Sequence, residues 1–507
     1  LLIIPNLGYA PTFKWAIVTN LLLAVIILRT VKGVSPKIVA TSAALCFAAV
    51  VLYHPKPPVD LLTRSPLDNS NDVHKKLKLI HVATGKSATV SVLERSGNFV
   101  IRSNGLQEAE IFPKGAEALA YTKIRWLPAL PKVLKPDAES MLVVGYGGGA
   151  LLEAVPSGIR EIDVVEIEEE VIVANRLVAS RRAIDPLKDE RINIVINDAR
   201  GALKLSRKTY DAIVSQPSHP WTAGASHLYT REFLELADDH LNSGGIFVQW
   251  LGSSFVDKTL LGSFLASATE IFPHVQLYLV SDNFIIVCSQ HSLDDRLWSG
   301  RNLFTLSDYP KLSYLEDMLA VLQLDEEGCK TLAQGHPPIT DDRNLMATHH
   351  LPGKDFEGAL NKPENLISLL QPLHFLNGDP AQVRDSLIKA DVDLPYLTRL
   401  LKSGSPALDQ RKFFGEVLTK EDRMMSQLPG LLDKKPATVI EQLEIAENAG
   451  ISANEILPLK ALAYFTYATH LWNQKNQIPP PREFEDFLKQ SAELREVVQH
   501  LDDEGKF

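Results

Sequence analysis

An apolar run, Met141-Leu142-Val143-Val144, passes directly into Gly145-Tyr146-Gly147-Gly148-Gly149-Ala150, and few folds accommodate that junction. Consecutive apolar residues of this length read as a strand buried on both faces. The glycines permit a tight turn and a close approach of backbone to a ligand, and the helix expected next offers free N–H groups. The spacing satisfies G-x-G-x-x-A, which is a weak signal alone and gains weight from what surrounds it. A second strand, Ile162–Glu166, ends in an acidic side chain about 20 positions after the first glycine, where a carboxylate can accept from both hydroxyls of a ribose. A helix over 168–180 follows, then strands Ile192–Ile196 and Ala212–Ser215, a helix Arg231–Leu241 and a strand Ile246–Trp250. This alternation predicts a doubly wound α/β domain with a parallel sheet and right-handed crossovers.

Nicotinamide-linked oxidoreductases and S-adenosyl-type transferases both begin in this way. The segments Val275–Val280 and Phe284–Ser289 flank Ser281-Asp282-Asn283 and read as a hairpin, so the last strand is expected to be antiparallel. That ending favours the S-adenosylmethionine-type, Rossmann-like sheet. Asp198, at the tip of the third strand, fits the same reading, since a carboxylate there accepts from an adenine amino group. Gly145, Gly147, Gly149, Glu166, Asp198 and Ala199 are therefore the candidate nucleoside-binding residues.

Composition changes upstream. Trp15–Leu28 and Ile38–Tyr53 are apolar runs, and no Asp or Glu precedes Asp60 in a chain whose net charge is −10. Each run is shorter than the ~20 residues a bilayer needs, but flanking residues extend both, and Lys14 and Arg29 can snorkel. Residues 1–56 are expected to form two transmembrane helices in contact with membrane lipid. The opening Leu1-Leu2-Ile3-Ile4 reads as the end of an apolar segment, so a longer membrane domain is expected. Arg29, Lys32 and Lys37 between the runs are nearly balanced by Lys14, Lys56 and Arg64 outside them, and positive charge fixes no sidedness. An S-adenosyl-type ligand is cytosolic, which argues for a soluble part on the cytoplasmic side of an inner or plasma membrane.

Residues 57–75 read as a linker rich in Pro, Asp, Asn and Ser, and residues 76–112 as a small β domain. Its strands are expected at Leu77–Val82, Ala88–Glu94 and Phe99–Ser103, the last two joined by Ser96-Gly97-Asn98. The α/β domain then spans 113–352 and opens with a helix over 116–130. Residues 353–507 read as helices, with an apolar stripe through Leu457, Leu459, Leu462, Ala463 and Phe465 and a break at Pro479-Pro480-Pro481. Docking onto other subunits of a membrane complex is the expected role of that region. The acidic balance argues against nucleic acid as a partner. Cys46, Cys288 and Cys329 show no CxxC spacing, so neither a disulfide framework nor a metal site is expected.

Several segments taken together carry a resemblance. They are Asn104-Gly105-Leu106-Gln107, the strand and glycine loop at 141–150, Val165-Glu166-Ile167-Glu168, Asn197-Asp198-Ala199-Arg200, and Leu228-Tyr229-Thr230-Arg231-Glu232-Phe233 followed by Gly244-Gly245. Over roughly residues 75–350 the chain resembles the spermidine synthase (polyamine aminopropyltransferase) family. The preceding apolar runs and Ile339-Thr340-Asp341-Asp342-Arg343-Asn344 resemble the branch with a transporter-like membrane N-terminus. The resemblance implies a β-rich domain before the glycine loop and S-adenosylmethionine or its decarboxylated form as the nucleoside ligand. It also implies an amine acceptor, with Gln107, Gln216 and Trp221 on the substrate side.

The departures lie on the amine side. The family's glycine loop resembles GGGDGG, whereas this one reads GYGGGA. After the fourth strand the family carries an Asp-Ser-Ser-Asp-Pro-like loop, whose first Asp deprotonates the amine and whose second helps bind the diamine. Here the loop is Ser215-Gln216-Pro217-Ser218-His219-Pro220-Trp221, without either carboxylate, and the stretch 115–135 lacks the family's His. A neutral Ser or Gln takes no proton from an ammonium near neutral pH. His219, Ser215 and Tyr229 remain as catalytic candidates, each with a bland counterpart: a loop histidine, a strand-end serine and a core aromatic. Two functions follow. One is a membrane-bound transferase acting on an amine other than putrescine; the other is a catalytically inactive accessory or scaffold subunit of a membrane complex. If catalysis survives, its base is expected among the Asp and Glu residues before Gly115.

Overall fold

The computed structural model describes residues 8–30, 35–52, 77–114, 122–222, 224–280, 283–299 and 315–349, then 380–389, 435–448 and scattered positions between and beyond them. The chain divides into two compact units, residues 1–311 with 329–366 and residues 312–328 with 367–507. The linker at 57–75, the first turns of the helix expected from 116, and most of 353–507, with Pro479–Pro481, lie outside the described residues.

Two helices come first, α1 (Tyr9–Thr30) and α2 (Pro36–Leu52), and they pack on each other. Of the two, α1 is long and apolar enough to cross a bilayer, over Pro11–Leu28, and that window buries none of its side chains; α2 is shorter.

A four-stranded antiparallel meander follows: β1 (Lys78–Thr84), β2 (Thr89–Arg95), β3 (Asn98–Ser103) and β4 (Leu106–Ile111). Its turns are set by local chemistry. Ser96-Gly97 and Asn104-Gly105 all take positive φ, as a two-residue hairpin that matches strand twist requires. Sequence periodicity shows only three of these strands. The fourth, Leu-Gln-Glu-Ala-Glu-Ile, is too polar to announce itself.

After α3 (Thr122–Leu134) the larger sheet begins at its centre with β5 (Ser140–Val144). The chain steps outward through β6 (Glu161–Glu166), α4 (Glu169–Val178) and β7 (Ile192–Ile196). It returns through α5 (Ala199–Leu205) to β8 (Tyr210–Ser215), on the other side of β5. Next come α6 (Arg231–Asp238), β9 (Leu241–Gly252), α7 (Lys258–Ile271), β10 (His274–Val280) and β11 (Asn283–Ser289). Within the first unit the order is β10-β11-β9-β8-β5-β6-β7. The strands from β5 to β9 pair in parallel, while β11 runs antiparallel to both β9 and β10. This is the Rossmann-like sheet with an antiparallel last strand that the hairpin pattern predicts. The strand order reverses between β5 and β8, where an open α/β sheet offers a crevice at the carboxyl ends of its strands.

The core is aromatic on one face. From α6, Phe233 meets Phe247 of β9 edge-on, and Phe247 stacks on Phe272, with ring centroids 6.2 and 5.9 Å apart. In the second unit, Leu428, Val439, Leu443 and Ile456 belong to one buried apolar cluster.

At the end of the sheet opposite the crevice, Asp211 ties three strands together. It accepts from Glu139 N (2.9 Å), Ser140 N (3.1 Å), Ser140 Oγ (3.0 Å) and Asn242 Nδ2 (3.0 Å). Burial alone raises its pKa, but these bonds overcome burial and hold it at about 2. A depressed carboxyl pKa stabilises the fold above the unfolded value of ~3.9, and that contribution fades as pH falls through the folded value. Asp211→Asn should therefore cost about 1–2 kcal/mol at pH 7, after allowance for partial exposure, and the gap to the unmodified protein should close toward pH 2. Denaturant unfolding of the intact chain in detergent at pH 7 and pH 3 measures it.

Candidate functional site

The glycine loop is pinned from below and behind. Gly145, Gly147 and Gly149 take φ of +93°, +52° and +74°, a region open to glycine and strained for other residues. At Gly145 a Cβ would lie 2.7 Å from the Gln216 carbonyl oxygen, and at Gly148 it would lie 2.5 Å from Ala109 Cβ on β4. The loop's N–H groups point to Glu166 at the end of β6. Its Oε2 accepts from Tyr146 N and its Oε1 from Glu168 N, both at 2.9 Å, and the Gly147 N–H also reaches it. The loop's carbonyls are held from α4 and beyond. Asn175 Nδ2 donates to Gly147 O at 2.8 Å and Arg182 Nη2 to Gly148 O at 2.7 Å. Arg182 is itself buried, paired with Glu153 and bonded to Asn175 Oδ1.

Above this loop, at the β5/β8 switch point, is a cavity of about 500 Å³. Gln107 and Glu108 of β4, Tyr146 and Gly147 of the glycine loop, Gln216 and His219 of the loop after β8, and Trp250 and Phe255 line it. Trp250 is fixed by donating Nε1 to Asn283 Oδ1 at 2.9 Å, and Phe255 meets Trp250 and Trp221 edge-on.

The structure distributes the expected residues over distinct places. Gly147, Gln107, Gln216 and His219 meet at the cavity. Trp221 packs against His219 and Phe255 and is 37% exposed, behind rather than on the wall. Ser215 is wholly buried at the end of β8. Tyr229 is also wholly buried, its ring edge-on to Phe264, and burial pushes its hydroxyl pKa up. Neither hydroxyl lines the cavity. Glu166 lies beneath the loop with 6% exposure, and burial raises its pKa against the pull of the backbone N–H groups. Asp198 is exposed at the tip of β7, where Oδ2 caps α5 by accepting from Gly201 N at 2.7 Å, and Ala199 is buried next to it. His219 is half-buried between Trp221 and Phe255, and desolvation lowers its pKa, so it is neutral at pH 7. Three of the quoted motifs converge on Asp341, which accepts from Arg200 through both Nη atoms at 2.6 Å and from Thr230 Oγ1 at 2.9 Å.

Glu108 is the residue that motif reading does not single out. Register between β3 and β4 runs Ile101↔Ala109 and Arg102↔Gln107, so Glu108 is the extra residue of a β-bulge. Bulges re-aim side chains, and this one carries a carboxyl into the cavity. There Glu108 Oε1 accepts from Ser218 Oγ at 2.7 Å. Burial raises its pKa to about 7 against that hydrogen bond, and the nearby charge of Glu166 raises it further. The available signal was an acidic residue next to Asn104-Gly105-Leu106-Gln107, which a resemblance centred on the glutamine passes over.

Comparison with known proteins agrees with the α/β part of this description. Residues 123–281 match the spermine/spermidine synthase domain family. The polyamine aminopropyltransferase of Pectobacterium atrosepticum is 30% identical over 134 residues, 26% of this chain and 46% of that one. That of Hamiltonella defensa is 26% identical over 151 residues, 29% of this chain and 52% of that one. The chain thus spans about half the length of the curated relatives it matches. Among solved structures, the spermidine synthase of Thermotoga maritima aligns at 18% identity and TM-score 0.40, covering 50% of this chain and 88% of that one. A spermidine synthase in complex with the transition state analogue AdoDATO aligns at 16% identity and TM-score 0.38, covering 54% and 85%. The matched segment holds the glycine loop and the loop after β8, while the β4 wall of the cavity, Gln107 and Glu108 included, lies before it.

The carboxyl of Glu108 yields a sign-specific expectation. A folded pKa near 7 against an ordinary 4.5 means that the folded state binds more protons between those values, so stability falls as pH rises through them. Glu108→Gln keeps an acceptor for Ser218 and removes that penalty. It should leave stability unchanged at pH 4 and raise it by about 1–3 kcal/mol at pH 8. Equal denaturation midpoints at pH 8 would show that the carboxyl is not desolvated.

Proposed function

We propose that this protein is a membrane-anchored, spermidine synthase-like transferase that binds an S-adenosyl-type nucleoside and passes a group from it to an amine other than putrescine. The observation that carries this reading is the cavity itself. It lies at the switch point of the sheet, with the glycine loop on one wall and the loop after β8 on another, and a carboxylate inside it. The donor set fits such a nucleoside. The loop at Gly145–Gly149 leaves backbone close to the crevice, Glu166 retains lone pairs beside its N–H partners, and Asp198 is free on its outer side to accept from an amino group. S-adenosylmethionine or decarboxylated S-adenosylmethionine would supply the electrophilic carbon next to a sulfonium.

Putrescine is disfavoured by the loop after β8. Ser215 is buried out of reach, Gln216 is neutral, and His219, kept neutral by burial, offers no charge to a diammonium. Those same replacements support a second reading, in which the domain is an inactive scaffold or accessory subunit of a membrane complex, docked through its C-terminal helices. The anchor in both readings is α1 with α2, and the transferase reading requires the soluble part on the cytoplasmic side.

Calorimetric titration of the intact chain in detergent with S-adenosylmethionine, decarboxylated S-adenosylmethionine and methylthioadenosine separates the two. At least one should bind, and Glu166→Ala should weaken it by ~1.5–3 kcal/mol. Failure of all three favours the scaffold.

Putrescine with decarboxylated S-adenosylmethionine should give methylthioadenosine at least ~10²-fold below the usual enzyme median of ~10 s⁻¹. Turnover at the median would return the protein to the diamine enzymes. Protease accessibility in sealed vesicles reports the side of the membrane, and an external location would end the transferase reading.

A further inference from the structure

We infer that Glu108 is the proton acceptor and charge partner for the acceptor amine, and that the site is built for a monoamine with an apolar or aromatic body. The inference rests on the transferase reading of the same cavity. The bulge in β4 places Glu108 on the cavity wall between the glycine loop and the loop after β8, and Ser218 of that second loop fixes its orientation at 2.7 Å. The loop that lacks carboxylates thus supports a carboxylate supplied by the β domain.

Charge in the cavity limits what can enter. Glu110 also faces it but is engaged by Arg95 Nη2, 3.0 Å from each carboxylate oxygen, and by Asn98 Nδ2 at 2.9 Å. Among the described residues that line the cavity there is no Lys or Arg, so Glu108 has no cation on that wall. A single uncommitted carboxylate suits a single ammonium. A second ammonium, four carbons away, would be carried toward Trp250 and Phe255, away from any free anion. Those rings instead suit an apolar body.

The bound ammonium gives one proton to a Glu108 carboxylate oxygen, which frees the nitrogen lone pair. That pair attacks the carbon bonded to the sulfonium, a C–N bond forms, and the C–S bond breaks with its electrons passing to sulfur. The products are a thioether nucleoside and a substituted ammonium, and Glu108 returns its proton to water as they leave. The ionisable groups that face Glu108 are Glu110 on its own strand, Tyr146 in the glycine loop, Glu166 beneath it and His219 in the loop after β8. Arg102 stands on the neighbouring strand β3, opposite Gln107.

The test uses benzylamine and putrescine, titrated calorimetrically into the intact protein in detergent at pH 8.5, with and without methylthioadenosine. Benzylamine should bind more tightly than putrescine. Glu108→Gln should weaken benzylamine about ten- to a hundredfold, the loss of a hydrogen bond to a charged group, while methylthioadenosine binding stays as it was. Glu108→Asp should restore part of what Glu108→Gln loses. Repeated at pH 7, titration in buffers of different ionisation enthalpy should show proton release linked to benzylamine binding in the unmodified protein and not in Glu108→Gln. Benzylamine affinity unchanged in Glu108→Gln, or putrescine preferred over benzylamine, or neither amine bound, overturns the inference. If methylthioadenosine does not bind while benzylamine binds through Glu108, it is the transferase reading that fails and not the amine site.

Discussion

Two carboxylates two residues apart, Glu166 and Glu168, hold the glycine loop and both sheets in one arrangement. Glu166 ends β6 and gathers the N–H groups of the loop from below. Glu168 caps α4 through Oε1, and its Oε2 accepts from Ser87 N, Ser87 Oγ and Ala88 N in the turn between β1 and β2. Both side chains are buried, and a buried carboxylate persists only when its oxygens are satisfied by hydrogen bonds. The turn and the loop are therefore fixed by the same three-residue segment. With the meander held there, β4 crosses the glycine loop so closely that Gly148 has no room for a Cβ against Ala109. The cavity is the space this crossing leaves on the β8 side.

Along the rest of the crevice the chemistry differs between the two edges. Toward β7, Asp198 is exposed, and the large apolar side chains of Ile167 and Ile196 are left 53% and 41% open to solvent at the ends of neighbouring strands. Exposed apolar residues next to an outward carboxylate suit the faces and amino edge of a flat base, in line with the proposed nucleoside. Glu166 contributes less there than its position in the sequence promises. At 6% exposure it acts first on the loop, and only one edge remains for a ribose. Its removal would therefore disturb the shape of the loop along with any direct contact.

Much of this was legible in the sequence. Period-two and continuous apolar runs place β5 to β8, β10 and β11 within a residue or two of the structure, because buried strands must be apolar whatever else they do, whereas β9 begins five residues before the expected Ile246, through the polar Asn242-Ser243-Gly244-Gly245. The reversal at β10 and β11 follows from a hairpin spacing. What the sequence concealed is the cavity edge formed by β4 and the loop after β8, for three physical reasons. The fourth strand of the meander is polar because one of its faces lines a cavity, so it lacks the alternation by which strands are recognised. Glu108 reaches the site through a bulge, and a bulge is a register defect between two strands that no single-strand pattern records. Tyr229 and Trp221 were placed by position in a motif, whereas tertiary packing took the first into the core and the second behind His219. The expectation that an acidic residue before Gly115 supplies the base was chemical and not positional, and Glu108 is the residue of that stretch on which the proposal rests.

Electrostatics relate the two edges. Glu166 raises the proton affinity of Glu108 across the glycine loop, on top of the effect of burial, while burial and the neighbouring charge of Glu168 raise that of Glu166. An empty site thus holds Glu108 near half-ionised at neutral pH, which avoids the cost of two bare carboxylates in one crevice. On the proposed reading, a sulfonium seated between them changes that balance. A positive charge near both carboxylates favours their ionised forms, so nucleoside binding would convert Glu108 from a partly protonated acid to a ready acceptor. The amine edge would then be charged only after the nucleoside edge is filled. Such an order costs no conformational change, only two carboxylates on opposite sides of a loop too thin to screen them. It also gives a reason for the acceptor carboxylate to sit on β4 and not on the loop after β8. From β4 it approaches the glycine loop directly, whereas Ser215, at the root of the β8 loop, is sealed inside the sheet.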